Sequence, residues 1–372
     1  MPLSKIQDIG NQIIPNLGRR NFIINGALSV DQRHNFGTFT TETYLGDRLN
    51  VEGLSGGGGA TMQVVSDAPD VFPNGKSGKV TVTGTDGSLA TSDFYTLRHI
   101  IEGNHSARLG FGTSNAKTCT LSFYVKSSLT GTFCVAVGNG ANNRGRPFEY
   151  TINSANTWER KTIEVAGDTS GTYLTTNGRG IIIRWCMGVG SDRQASAGSY
   201  SAQEVHGTSN QTNLFATNSA TFQITGLQFE EGSVATDFEH ESFDETLIKC
   251  QRYYQLVGRD FSDTSPTTAF GWGYTSSGSA TKGMLQFERR MRIKPTFTQS
   301  TDQNLDFKTN AGPGAVHSSN AFTSVVTSET SAEFTQQNHA SNFGGAGQPY
   351  YLKWNGVQGT GLAASVQLDA EL

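Results

Sequence analysis

Apolar and polar residues alternate in short runs along most of the chain, and clusters of Gly, Ser, Thr and Asn separate the runs. A period of two marks strands with one face buried. Such runs cover residues 62–66, 79–83, 95–102, 118–127, 131–137, 148–152, 159–165, 180–188 and 221–229. In the eighth run Ile181, Ile183, Trp185 and Met187 share one face. In the last, Phe222 and Ile224 alternate until Gly226, after which Leu227 and Phe229 resume one position out of phase. One extra residue in a strand flips its faces, so Gly226 predicts a β-bulge. Short antiparallel strands at this spacing predict a two-sheet sandwich of jelly-roll type. Phe22-Ile23-Ile24 predicts an opening strand. Further on, Leu285, Phe287, Met291, Ile293 and Phe297 predict one strand face, and Ala364, Val366, Leu368, Ala370 and Leu372 a closing strand.

One stretch has a helical period instead. Ser242-Phe243-Asp244-Glu245 reads as a capping box, and Phe243, Leu247, Cys250 and Tyr254 then fall on one face. The chain therefore divides into a segment 1–20, a jelly-roll sandwich 21–241, a connecting helix 242–257 and a smaller C-terminal β-sandwich 258–372. The fold class expected is all-β. Within the first segment Ile6, Ile9, Ile13 and Leu17 recur at roughly helical spacing around Pro15, which predicts an anchor that buries its face on something else. Residues 190–219 are polar and without period, a length expected only of a functional or partner-contacting loop.

Composition changes this picture little. Glycine is abundant (44 of 372 residues), proline scarce (9), and charged residues make up 16% against about 25% in average soluble domains. That balance suits strands and tight turns. A net charge of −4 gives no footprint for nucleic acid. No apolar run approaches the length of a membrane span, and no signal-peptide pattern opens the chain. Four cysteines show no metal spacing. Cys119 lies in phase with the buried Leu121, Phe123 and Val125, and Cys134 faces the other way. A disulfide between them is not expected, and synthesis in a reducing cytoplasm is.

Motifs of catalysis are missing. Asn74-Gly75-Lys76-Ser77 lacks the earlier glycine of a phosphate loop, because that position is Asp70. His240-Glu241 lacks the second histidine of a zinc protease, because that position is Asp244. The acidic run Glu230, Glu231, Asp237, Glu239, Glu241, Asp244 and Glu245 could hold Ca²⁺ or supply a glycosidase pair, but Asp244 and Glu245 are explained by the helix N-terminus. No catalytic residue, metal ligand or cofactor is expected. Aromatic rings in Gly-rich stretches are the stronger signal. Phe270-Gly-Trp272-Gly-Tyr274 and Gln348-Pro-Tyr350-Tyr351-Leu-Lys-Trp354 set flat rings beside polar groups such as Asn338, His339 and Asn342. Sugars have apolar C–H faces and many hydroxyls, so Trp272, Tyr274, Asn338, His339 and Tyr350 are the expected ligand-binding residues. Tyr350, Leu352 and Trp354 alternate, and equally suit a core strand.

The stretch 224–256, Ile-Thr-Gly-Leu-Gln-Phe-Glu-Glu-Gly-Ser-Val-Ala-Thr-Asp-Phe-Glu followed by the helix ending Cys250-Gln-Arg-Tyr-Tyr254, resembles a junction of bacteriophage tail-fibre and virion structural proteins. Pro15–Leu28, the hairpin 122–137 and the stretch 157–173 resemble other parts of that family, and Asp237 stands where the family usually has Pro. The resemblance implies a jelly-roll domain of carbohydrate-binding-module type and a non-enzymatic virion protein made in the host cytoplasm. Such a protein would be a tail fibre or tail-tip adhesin for host-surface glycans. It further implies a homotrimer, joined to other tail proteins through residues 1–20, with the receptor-binding tip in 258–372. Two alternatives stay open: a structural tail adaptor or capsid-decorating protein, and a glycan-degrading tailspike.

Overall fold

The computed structural model describes residues 20–33, 37–39, 43–53, 57–257, 269–277, 280–299, 305–309, 315–318, 324–337, 349–354 and 366–372. It is all-β, and the chain separates into two compact units, residues up to Thr246 and residues from Leu247 to Glu371.

The first unit is a jelly-roll sandwich of two antiparallel six-stranded sheets. In the first sheet the order is β1 (Gly37–Phe39), β4 (Gly59–Val65), β5 (Ser77–Gly84), β12 (Thr221–Glu231), β7 (Cys119–Ser127) and β10 (Glu159–Val165). In the second it is β2 (Thr43–Tyr44), β3 (Leu49–Glu52), β6 (Phe94–Glu102), β11 (Arg179–Val189), β8 (Gly131–Asn139) and β9 (Gly145–Ile152). All nine expected strand runs are present. Their apolar faces meet between the sheets, where Trp185 of β11 lies edge-on to Phe123 of β7 at 5.9 Å. Burying so many branched and aromatic side chains is the main stabilising term of this unit.

At Gly226 the pairing of β12 with β7 shifts register between Thr225 and Gln228, as the phase slip requires. Gly226 has φ +62°, and a Cβ there would stand 2.7 Å from the Phe72 ring, so both backbone and space demand glycine. The opening strand is not formed. Phe22 and Ile23 are buried, but residues 23–27 make a turn. Asn25 sits at φ +61°, and its side-chain amide donates to the carbonyls of Val30 (2.8 Å) and Asp47 (2.9 Å). A short polar side chain that bonds its own loop outcompetes a three-residue strand.

The helix α1 runs Phe243–Gln251, shorter than expected. Its capping box is present: the Ser242 hydroxyl accepts from the Glu245 amide (3.2 Å), and the Ser242 amide donates to the Glu245 carboxylate (3.1 Å). Cys250 is buried, Leu247 is half-buried, and Phe243 is exposed, so the expected apolar face is only partly used. Tyr254 is not helical. It opens β13 (Tyr254–Val257), which pairs with the last strand.

The second unit is a smaller sandwich. A three-stranded sheet, β13–β22 (Val366–Asp369)–β16 (Thr296–Gln299), shares a core with a seven-stranded sheet. The order in the latter is β18 (Ala315–Ser318), β17 (Leu305–Thr309), β21 (Pro349–Trp354), β14 (Ala269–Ser277), β15 (Ala280–Gln286), β20 (Ser331–Gln337) and β19 (Ser324–Thr327). Val366, Leu368 and Ala370 alternate into the core. The expected single face from Leu285 to Phe297 is instead two strands with an irregular link, in which Met291 is buried and Ile293 exposed. Residues 1–19, which hold the expected anchor, lie outside the described residues.

Candidate functional site

Two sheet faces could receive a ligand, one in each unit. In the first unit the outer face of the second sheet carries Glu52 on β3, Arg98 on β6, Arg184 on β11 and Cys134 on β8. That face is roofed by the long polar stretch 190–219. Gly198 donates its amide to the Pro147 carbonyl (2.8 Å), Thr212 donates to Thr132 (2.8 Å), and the Gln211 side chain bridges Cys134 and Cys186. Under the roof Glu52 pairs with both Arg98 and Arg184, and Arg184 reaches Glu204 of the roof at 3.2 Å. His206 is wholly buried, edge-on to Phe94 at 4.5 Å, with Nε2 3.1 Å from Glu204. Burial pushes the His206 pKa down to about 4, so the ring is neutral at pH 7. Burial opposes the charge on Glu204, but its hydrogen bond with His206 and the positive charges of Arg184 and Arg193 outweigh it and hold the carboxyl at about 2. The long loop is thus a lid fixed by buried polar pairs, and the face beneath it is closed.

The seven-stranded sheet is arranged the other way. Trp272 and Tyr274 are two residues apart on β14 and point to one face, where they are 60% and 49% exposed. Pairing places Met284 and Lys282 of β15 beside them, then Glu333 and Thr335 of β20, then Val326 of β19, itself 59% exposed. Together they line a trough of about 340 Å³. The reverse face explains the glycines of this segment. A Cβ on Gly273 would stand 2.3 Å from the Lys282 carbonyl, and one on Gly283 would stand 2.4 Å from the Phe334 ring. Phe334 and Tyr350 therefore press against bare backbone on the core side, which holds the strand under Trp272 and Tyr274 in place.

Of the residues expected to bind ligand, the structure brings together Trp272 and Tyr274. Tyr350 is not with them. It pairs with Gly273, one residue out of phase, so its side chain enters the core. There burial pushes its hydroxyl up to about 12, with a hydrogen bond from Thr281 acting against the shift. Asn338 and His339 lie outside the described residues. Lys282, Met284, Val326, Glu333 and Thr335 were not expected from sequence. Each lies in an alternating run, but which runs become neighbours is a matter of pairing.

A second concavity, of about 410 Å³ in the first unit, is walled by Phe72, Phe238, His240 and Phe243. The rings of Phe72, Phe238 and His240 are in mutual contact, 5.1 to 5.4 Å apart. The amides of Asn21 and Asn25 at its floor are bonded to backbone. Two carboxylates of the acidic run beside it are taken up by nearby donors. Glu230 accepts from the Thr236 amide (2.8 Å) and hydroxyl (2.7 Å), and Glu239 accepts from the Asn21 amide (2.8 Å). Among the described residues no group of three or more His, Cys, Asp or Glu could hold a metal ion, and all four cysteines are free.

No family model and no curated protein matches this chain. Solved structures with a similar fold include the enzymatically active domain of tailspike protein 4 from bacteriophage CBA120 (12% identity, TM-score 0.29). That match takes in 57% of this chain and only 21% of the tailspike chain. A CBM4 domain matches at 15% identity and TM-score 0.27, over 56% of this chain and 99% of its own. A family 11 carbohydrate-binding module from Clostridium thermocellum, in complex with a mixed-linked tetrasaccharide, matches at 15% identity and TM-score 0.24, over 56% and 96%.

Proposed function

We propose that the chain is a non-enzymatic bacteriophage virion protein, a tail fibre or tail-tip adhesin that binds glycans of the host surface through its second unit. The observation that supports this is the pair Trp272 and Tyr274, held side by side and exposed on a sheet whose other face is packed. Large rings are normally withdrawn from water, and a contiguous exposed set marks a binding surface. Flat rings beside hydroxyl, ammonium and carboxylate groups suit a sugar, whose C–H face stacks while its hydroxyls bond outward. In this reading the first unit is the body, residues 1–20 attach the protein to other tail proteins, and the protein works as a homo-oligomer, a trimer by analogy with tail fibres. Several copies acting together would raise a weak single-site affinity into firm attachment.

The test is adsorption of the labelled full-length protein to a panel of bacterial cells, with and without the double substitution Trp272→Ala, Tyr274→Ala. Each ring contributes about 1 kcal/mol by stacking, so single-site affinity is expected to fall roughly twentyfold to thirtyfold in the double variant. Adsorption that survives the double substitution removes these residues from the site. A wild-type protein that adsorbs to no cell leaves the tail-adaptor reading in its place.

A further inference from the structure

The face around Trp272 and Tyr274 has two rows, and the rows differ in chemistry. Pairing runs Trp272–Met284–Glu333–Val326 across strands β14, β15, β20 and β19. The neighbouring row runs Tyr274–Lys282–Thr335–Ser324 across the same four strands. Strands lie about 4.8 Å apart and residues two apart on a strand are about 6.6 Å apart, so each row is about 14 Å long and the rows lie side by side. The first row is apolar at Trp272, Met284 and Val326, with one carboxylate between them. The second carries a phenol, an ammonium and hydroxyls.

A ligand that fills this trough must be elongated and must lie across the strands, because contact with Trp272 and Val326 together spans three strand intervals. It must also be two-faced, apolar along one edge and polar along the other. Charge narrows it further. Lys282 and Glu333 are both exposed, and among the described residues neither has an ion-pair partner. Lys282 stands in the polar row beside Tyr274, and Glu333 stands in the apolar row toward Val326. An anionic substituent is therefore attracted at the Tyr274 end and repelled at the Val326 end, which fixes the direction in which a chain can lie.

Resting on the glycan-binding reading above, we infer that the site takes an acidic linear oligosaccharide, laid across β14, β15, β20 and β19, with its carboxylate or phosphate at Lys282. The rings supply the stacking and Lys282 the choice of acidic over neutral sugars. Glu333 accepts hydroxyl hydrogen bonds and turns away the reversed orientation.

The experiment uses the full-length protein on an array of bacterial surface polysaccharides. Each uronic-acid polymer stands beside its carboxyl-reduced form, and each phosphodiester polymer beside a neutral polymer of the same sugars. Wild type is expected to prefer the acidic member by roughly three- to fivefold, the range of an exposed ion pair. That preference falls as salt rises. Lys282→Gln removes the preference, so that acidic and neutral members bind that variant equally; a preference that persists in it overturns the assignment of the anion to Lys282. Glu333→Gln weakens the neutral member, through the lost acceptor, and widens the preference, because a charge that repels the anion is gone. The arm that shows the preference says whether the anion is carboxylate or phosphate. Equal binding of acidic and neutral members by wild type overturns the acidic inference while the glycan reading stands. If no polysaccharide binds at all, the glycan reading itself fails.

Discussion

The two units contain sheets built from the same materials, short strands rich in glycine and aromatic residues, and treat their outer faces in opposite ways. In the first unit the second sheet is covered twice, by the core on one face and by residues 190–219 on the other. As a result Tyr95, Phe133 and Trp185 are all fully buried, and Glu52, Arg98 and Arg184 of the outer face are buried as well. In the second unit the seven-stranded sheet has a packed face carrying Phe334 and Tyr350 and a face that leaves Trp272, Tyr274 and Val326 in water. An aromatic ring in a glycine-rich strand is thus not by itself a sign of either core or binding surface. What separates the two outcomes is whether a loop is long enough, and polar enough in the right places, to satisfy the buried groups of a covered face.

If that comparison is right, the largest loss of stability comes from the doubly covered sheet. Trp185→Ala empties a site between the sheets and should cost about 3–5 kcal/mol. Chemical denaturation followed by a signal from the first unit checks it, and a loss below about 1 kcal/mol would mean the core is looser than its packing implies.

The lid supplies a pH dependence next in size. His206 has its pKa lowered, from an unfolded value near 6.5 to about 4. The unfolded chain therefore takes up this proton first as pH falls, and stability drops between pH 6.5 and 4 by about 3 kcal/mol. The carboxyl of Glu204 is likewise depressed, and its contribution is lost only below that window, as pH falls from about 4.5 toward 2. Among the charged groups facing the His206 ring, Arg184 adds to the lowering while Glu52 and Glu204 oppose it. Buried His99, also lowered, adds acid sensitivity of the same sign. The contribution of His206 is thus the difference between wild type and His206→Gln in melting temperature against pH. Parallel curves for the two proteins would remove the lid from the acid response.

A smaller effect is expected from the packed side of the seven-stranded sheet. Gly273→Ala puts a Cβ 2.3 Å from a backbone carbonyl, which must move, and should destabilise the second unit by about 1–3 kcal/mol. The smallest effect belongs to the open side. Trp272→Ala should change stability by no more than about 0.5 kcal/mol, because the ring makes little use of the fold. A melting curve lowered as far as by Gly273→Ala would show that Trp272 is structural and would sink the contrast between the two faces.

Much of the first unit was legible in the sequence. Its strands, the bulge at Gly226, the capping box at Ser242 and the inward face of Ile181, Ile183, Trp185 and Met187 follow from local chemistry and from a period that only one backbone geometry matches. Where local reading failed, a competing bond or partner decided. The amides of Asn25 turned an apolar triplet into a loop, and Tyr254 left the helical pattern to pair with Asp369 of the last strand. The site was legible only by half. Glycine on both sides of Trp272 marked the ring as unusual, but the sequence does not tell Trp272 from Tyr350, since both are aromatic residues in alternating runs. Strand pairing told them apart, by setting Tyr350 against Gly273 and so on the opposite face. Pairing also brought Lys282 and Glu333 to the same trough from strands about fifty residues apart. Alternation along a strand is a property of the chain, fixed by the backbone. Which face is covered, and which side chains meet across it, depends on register between distant segments, and only the folded molecule sets that.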